Sequence, residues 1–119
     1  MTIKDTILKR MSSCYRDDIP NITFKGRFVY VPLYVTFDSN NETYYFSEYV
    51  TLKDNYNYND LVDEFIRLVY SDKEMFAIIN NYLLDPENEV ALNEFNEMQA
   101  IRKEAKDLAK SILADYPLN

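Results

Sequence analysis

Two consecutive stretches rich in β-branched and aromatic residues constrain the fold of this chain most strongly. They cover residues 27–37 and 43–52, and the five residues between them, 38–42, are Asp, Ser, Asn, Asn and Glu. Dense β-branched and aromatic residues favour strands, and a short run of Asp, Asn and Ser favours a turn. The pattern therefore predicts an antiparallel hairpin of two long strands.

A shorter stretch before this hairpin adds a third strand. Residues 22–25 have strand composition, and Gly26, the only glycine of the chain, follows them. Glycine adopts positive φ without steric cost, so a turn or bulge at this position is expected. Because Pro32 lacks an N–H donor, we expect residues 22–25 to pair only with the part of the long strand that precedes it. The three strands form a predicted antiparallel meander.

Alternation along the two long strands separates their side chains into two faces. We expect an aliphatic face to meet the helices, and on the first long strand it consists of Val29, Val31, Leu33, Val35 and Phe37. The opposite face is rich in tyrosine, whose large ring and polar tip suit an interface. We therefore predict that a partner contacts this face, through Tyr30, Tyr34, Tyr45 and Tyr49.

Helical periodicity marks most of the remaining chain. Apolar residues recur every three or four positions in four segments, residues 3–15, 60–70, 72–84 and 86–115. Start signals precede the last two segments, namely a Ser and Glu at capping-box spacing and an Asp-Pro pair. The prediction is a single α+β domain over residues 1–119: an N-terminal helix, the three-stranded meander and three further helices, of which the last is long.

The last helix is longer than a globule of this size is wide. At about 1.5 Å per residue it extends roughly 45 Å, whereas the globule has a diameter near 35 Å. We expect an overhanging apolar stripe that a partner covers, with Phe95, Met98, Leu108 and Ile112 as contact residues. The alternative is a break near Asn93, Asn96 or Ala100 that folds the helix back.

Composition excludes most catalytic and metal-binding chemistry within this chain. It has no histidine, one cysteine and one glycine. Ser–His–Asp triads, Cys–His pairs and glycine-rich phosphate loops are therefore impossible. We predict no catalytic residue, no metal site and no cofactor, and we expect Cys14 to be a buried structural thiol of the first helix.

Charge and hydropathy indicate which partners to expect. The formal net charge is −7, and residues 38–99 carry fourteen acids against three bases. An acidic surface disfavours direct contact with nucleic acid or anionic lipid, but it favours the approach of a basic protein. No apolar run is long enough to span a bilayer, and no signal-peptide pattern opens the sequence. We expect a location in the host cytoplasm or in a virion, not secretion.

These features favour a non-enzymatic protein–protein interaction subunit of a larger assembly. Asn, Tyr, Ile and Lys make up 40 of the 119 residues, a bias associated with A/T-rich genomes such as those of many bacteriophages. A small bacteriophage or virion structural component is the predicted role, with copies of itself or neighbouring subunits as partners. The alternative is an acidic inhibitor of a nucleic-acid-binding enzyme, of the DNA-mimic type.

Overall fold

The computed structural model describes residues 1–118, which form an α+β fold with one four-stranded antiparallel sheet and four α-helices. In chain order the elements are α1 (Ile3–Arg10), β1 (Ser12–Arg16), β2 (Thr23–Lys25), β3 (Phe28–Asp38), β4 (Thr43–Leu52), a 3-10 turn (Lys53–Asn55), α2 (Tyr58–Arg67), α3 (Asp72–Leu84) and α4 (Glu89–Asp115).

The predicted meander is present as β2, β3 and β4 of this sheet. The strand order is β1-β4-β3-β2. Strand β2 pairs with β3 only from Tyr30 back to Phe28, before Pro32, as expected from the missing N–H. Gly26 lies in the turn between β2 and β3 with a φ of +60°, which confirms its predicted role.

The first helix is shorter than predicted, and part of it is a strand. Helix α1 begins at a capping box of Thr2 and Asp5 but ends at Arg10 instead of residue 15. Residues 12–16 pair with β4 as an edge strand, so the sheet has four strands instead of three. Serines are weak helix formers, and pairing with β4 satisfies N–H and C=O groups that would otherwise lie on an open sheet edge.

The later helices agree with the sequence except at their ends. Helix α3 occupies the predicted residues 72–84, with the predicted capping box of Ser71 and Glu74. Helix α2 spans 58–67 instead of 60–70, because Asn57 accepts a hydrogen bond from the Asp60 N–H and caps it earlier.

Helix α4 begins three residues later than predicted and ends where predicted. The side chain of Asn88 accepts a hydrogen bond from the Ala91 N–H, so Asn88 is the N-cap instead of Asp85. Asn ranks with Asp as a capping residue, and local composition does not separate the two. The helix is then continuous to Asp115.

One side of the sheet, the inner face, packs against helices. The buried core combines this face with α1, α2 and the C-terminal half of α4, and it includes Ile3, Ile7, Val29, Val31, Leu33, Tyr49, Leu61, Phe65, Ile101, Ala105 and Ile112. The predicted aliphatic face of β3 is correct up to Leu33. It is wrong for Val35 and Phe37, which lie on the opposite side and are exposed.

A β-bulge causes this change of face. The pairing of β3 with β4 shifts between Leu33 and Thr36, and Tyr34 has a φ of +55°. One extra residue in a strand reverses which of the following side chains face the core. Tyr34 consequently packs against the core, with the Lys4 ammonium 5.2 Å from its ring, instead of joining the predicted tyrosine face.

Strand β4 also presents to the helices the face that we predicted to be outside. Ser47, Tyr49 and Thr51 are buried, while Val50 and Leu52 are partly exposed. The carboxylate of Glu64 in α2 accepts hydrogen bonds from the Tyr49 and Thr51 hydroxyls at 2.6 and 2.9 Å. Because these buried hydroxyls have an acceptor, burying this face does not incur the cost of unpaired polar groups.

Helix α4 extends beyond the core, as its length predicted. The molecule measures 53 Å along its longest axis and has a radius of gyration of 17.0 Å, against about 13.5 Å for a globule of 119 residues. The α4 residues in the main core begin at Ile101, so the first half of the helix lies outside it.

Candidate functional site

The side of the sheet opposite the helices, here called the outer face, carries mainly large apolar side chains. Alternation and the observed register place eight of them on the two central strands: Phe28, Tyr30, Val35, Phe37, Tyr44, Phe46, Val50 and Leu52. None of them belongs to the buried core. The bulge increases this surface, because it turns two side chains outward that strict alternation would direct into the core.

The outer face exposes a large apolar area. Phe28, Val35, Phe37, Val50 and Leu52 are each between 36 and 52% exposed. With whole side chains of roughly 150–250 Å², these five alone expose on the order of 300–500 Å². That is within the range of the largest patch on a typical monomer, which is often functional.

Contacts within the outer face order its aromatic rings. The rings of Phe37 and Tyr44 lie 4.7 Å apart across the two strands. The Lys25 ammonium lies 5.0 Å from the centre of the Tyr30 ring. Side chains held in this way lose less conformational entropy when they bind.

Charges on the outer face are few and nearly balance. Glu48 lies on β4 between the apolar side chains, and Arg16 and Lys25 lie on the two edge strands. Arg16 already forms an ion pair with Asp18 at 3.0 Å. The outer face therefore has little net charge, and it can make hydrophobic contact with another apolar surface without electrostatic repulsion.

A helical arm forms a second exposed surface. We define the arm as α3, the connection 85–88 and the first part of α4, residues 89–98. Its two helices pack through the stacked rings of Tyr82 and Phe95, whose centres are 4.2 Å apart. Ala91 and Met98 are buried but lie outside the main core, and α3 has no buried residue. The arm is thus held mainly by its own internal contacts.

The apolar side chains of the arm are exposed to a greater extent than those of the outer face. Its five exposed apolar side chains are Phe76, Leu83, Leu84, Val90 and Leu92, and four of them are between 66 and 84% exposed. Leu84 and Val90 share a hollow of about 360 Å³ near the end of the arm, whose lining also includes Asp85 and Glu94. The arm, residues 72–98, carries seven acids and one base, Lys73, so its apolar side chains lie in an acidic surface.

Three of the eight predicted contact residues cannot touch a partner in this structure. Tyr49, Met98 and Ile112 are at most 4% exposed, because they pack against their own chain. The helical stripe that we expected a partner to cover is instead the side by which α4 packs on the rest of the protein. We therefore no longer assign a contact role to these three residues.

The other five predicted contact residues occupy different places. Tyr30 lies on the outer face and is half-buried, and Tyr45 lies on the inner face beyond the helices, 43% exposed. Tyr34 and Leu108 pack against the core. Phe95 holds the arm together through Tyr82. The structure does not bring these five together in one surface.

Sequence reasoning overlooked the most exposed apolar residues of the arm. Phe76 and Leu83 are seven residues apart and lie on the same side of α3, while Leu84 lies beside them. Helix α3 has more apolar residues than the one side that faces α4 can bury. This excess in the sequence indicates that some of them are exposed. On the sheet, no local signal separated the outer face from the inner one.

In residues 1–118, no group of three or more His, Cys, Asp or Glu side chains is placed to hold a metal ion, and no buried side-chain polar atom lacks a hydrogen-bond partner. Partial burial, with a smaller effect of Glu48, raises the pKa of the Cys14 thiol above its ordinary value. A raised thiol pKa reduces the fraction of reactive thiolate.

Among the described helices, none has the length and apolar character needed to cross a bilayer. No protein-family model matches the chain, and no curated protein or solved structure is detectably similar to it. The function is therefore argued from the two surfaces.

Proposed function

We propose that this protein is a non-enzymatic protein–protein interaction subunit of a larger assembly. The observation that carries the proposal is the outer face, on which eight large apolar side chains cover two adjacent strands of an open sheet. The partner in this proposal is a second copy or a neighbouring subunit. A small structural component of a bacteriophage particle, in the host cytoplasm or in the virion, is the role that the composition favours.

Energetic reasoning supports a contact at the outer face. At about 25 cal/mol per Å², covering the roughly 300–500 Å² of the five exposed side chains contributes about 8–12 kcal/mol of hydrophobic free energy. Association costs an estimated 4–15 kcal/mol of lost translational and rotational freedom. Because the two ranges overlap, the outer face supports at most a modest affinity alone and a higher one together with a second contact surface.

Scarcity of catalytic groups also favours binding over catalysis. The chain has no histidine, and the Glu64 carboxylate is engaged by two hydroxyls of the sheet. General acid–base catalysis requires a titratable group within reach of a substrate. A role in contact and assembly requires none.

A pair of matched double variants tests the proposal. The first, Val50→Gln with Leu52→Gln, removes aliphatic side chains from the outer face. The control, Leu8→Gln with Leu118→Gln, removes exposed aliphatic side chains elsewhere. Light scattering after size-exclusion chromatography measures self-association, and affinity capture from the native source with quantitative mass spectrometry measures binding of other subunits.

We expect the outer-face variant to lose its partner or its own oligomer, while the control retains both. Wild-type protein that is a monomer at all concentrations, with a captured set identical to that of the outer-face variant, contradicts the proposal. Turnover of a substrate by the isolated protein contradicts it as well.

The acidic arm favours a second candidate function, inhibition of a nucleic-acid-binding enzyme by imitation of DNA. Exposed carboxylates at Glu87, Glu89, Glu94 and Glu97 are its basis. Inhibition of host nucleic-acid enzymes by the purified protein should weaken steeply with added salt, and Glu→Gln changes at these positions should slow association. Association rates that do not respond to the four changes rule this candidate out.

A further inference from the structure

We propose that the arm docks into an apolar groove of another protein whose rim carries lysine and arginine. The inference rests on the proposed interaction function but concerns a different surface from the outer face. It starts from the arm's five exposed apolar side chains, which have no covering element in the described part of the chain. Solubility alone does not require a leucine that is 84% exposed next to one that is 68% exposed.

The shape of the arm suits insertion into a groove. Phe76 and Leu83 form a ridge along one side of α3, since residues seven apart on a helix project in nearly the same direction. Leu84 and Val90 continue the apolar surface around the end of the arm, where they line the hollow of about 360 Å³. An amphipathic helix that places such a ridge in a hydrophobic groove is a common recognition mode.

The negative charge of the arm indicates which side chains border the groove of the partner. The arm carries seven acids against one base, Lys73, and five of these acids, Asp85, Glu87, Glu89, Glu94 and Glu97, lie within residues 85–98. All five are exposed. A partner whose apolar groove is bordered by basic side chains complements this pattern, and the aliphatic stems of lysine and arginine can also pack on Leu84 and Val90.

Neither the arm nor the basic part of α4 of a second copy fits the arm well. Two arms packed against each other would bring together two surfaces of net charge −6 each, which costs free energy. The basic residues of α4, Arg102, Lys103, Lys106 and Lys110, could attract the acids of another copy. However, no large apolar side chain of α4 after Leu92 is exposed, so that surface offers no groove for Phe76 or Leu83.

The same residues distinguish docking into an apolar groove from imitation of DNA. A protein groove built for the phosphate backbone presents mainly cationic and polar groups. Such a groove would leave the apolar ridge in contact with polar surface. The arm therefore fits a groove that buries apolar side chains and uses charge at its border.

A synthetic peptide that combines an apolar face with basic borders provides the probe. We suggest an amphipathic helical peptide with a leucine face, lysines along both borders and a single tryptophan. This protein contains no tryptophan, so tryptophan fluorescence reports on the peptide alone. The control peptide has glutamate in place of every lysine.

Two arm variants and one control variant locate the binding. Leu83→Gln with Leu84→Gln removes apolar contact, and Asp85→Asn with Glu94→Gln removes charge. The outer-face variant Val50→Gln with Leu52→Gln is the control. All six side chains are exposed, so each protein should retain its fold, which circular dichroism verifies.

We expect the basic peptide to bind wild-type protein, and each arm variant to weaken binding about tenfold or more. The outer-face variant should change the Kd by less than about twofold, and added salt should weaken binding of the basic peptide. The acidic peptide should not bind.

Several results would overturn the inference. They are no binding of the basic peptide, equal binding of the acidic peptide, and equal affinity of the arm variants and the outer-face control. Loss of a wild-type dimer in the Leu83→Gln, Leu84→Gln protein would assign the arm to a second copy instead. The peptide results do not affect the test of the outer face, so the two proposals fail independently.

Discussion

Replacement of Glu64 by leucine is the perturbation for which the structure allows the clearest calculation. The Glu64 carboxylate on α2 accepts hydrogen bonds from Tyr49 at 2.6 Å and from Thr51 at 2.9 Å, and both donors lie on the buried face of β4. These bonds explain how a sheet face with three hydroxyl-bearing side chains packs against helices. The substitution removes the acceptor but leaves both hydroxyls buried.

The expected loss of stability is about 3–5 kcal/mol. A buried donor without a partner costs about 1–3 kcal/mol, and hydrogen bonds to a charged group are at the upper end of the usual range. Since domains are stable by only about 5–15 kcal/mol, Glu64→Leu should remove a large part of the total. Exchanging all three residues, as Glu64→Leu with Tyr49→Phe and Thr51→Val, should recover most of the loss, because no unpaired polar group then remains.

Urea unfolding followed by far-ultraviolet circular dichroism measures these differences. The control is Asp63→Leu, which removes an exposed carboxylate from the same helix and should change stability by less than about 0.5 kcal/mol. Our reasoning is refuted if Glu64→Leu and Asp63→Leu have equal effects. It is also refuted if the triple variant is as unstable as the sum of its separate changes, since the three groups would then act independently.

Three further measurements test other parts of the structure. Gly26→Ala should lower the free energy of unfolding by about 1 kcal/mol through backbone strain alone, since no atom lies within 4 Å of an added Cβ; an unchanged urea midpoint would contradict the positive φ of +60°. Glu42 is exposed and has a φ of +51°. The substitution Glu42→Gly should raise the free energy of unfolding by about 0.5–1 kcal/mol, whereas Glu42→Ala should not. Equal urea midpoints of the two variants would argue against the left-handed turn. Burial raises the pKa of Tyr34 and of Tyr56 to about 12, so in the unfolded chain these two tyrosines lose their protons first, above pH 10. Their contribution to the free energy of unfolding should be constant below pH 10 and fall toward pH 12, and the urea midpoint should fall less steeply in Tyr56→Phe.

The predictions about local structure succeeded where short-range chemistry decides. Helix α3 was bounded correctly because Ser71 and Glu74 form a capping box at its start. Pairing of β2 with β3 stops before Pro32, because a proline cannot contribute the next N–H. The continuous α4 and the elongated shape follow from helical periodicity sustained over many residues.

The errors concern contacts between segments that are distant in sequence. Residues 12–16 have helical spacing of apolar side chains, but the free edge of β4 takes them as a strand. The candidate interaction surfaces were misassigned for a related reason. Alternation separates two faces of a strand but does not say which one is buried, and a bulge at Tyr34 exchanges them partway along β3.

Composition and local patterns predicted the α+β class, three of the strands, most of the helices and the long C-terminal helix. The folded chain was needed to show that β1 completes the sheet, that the hydroxyl-rich face of β4 is buried, and that Phe37, Val50 and the arm leucines are exposed. The physical reason is the range of the interactions. Capping, periodicity and proline act within a few residues, whereas strand pairing and the Glu64 hydrogen bonds join segments that meet only in the folded chain.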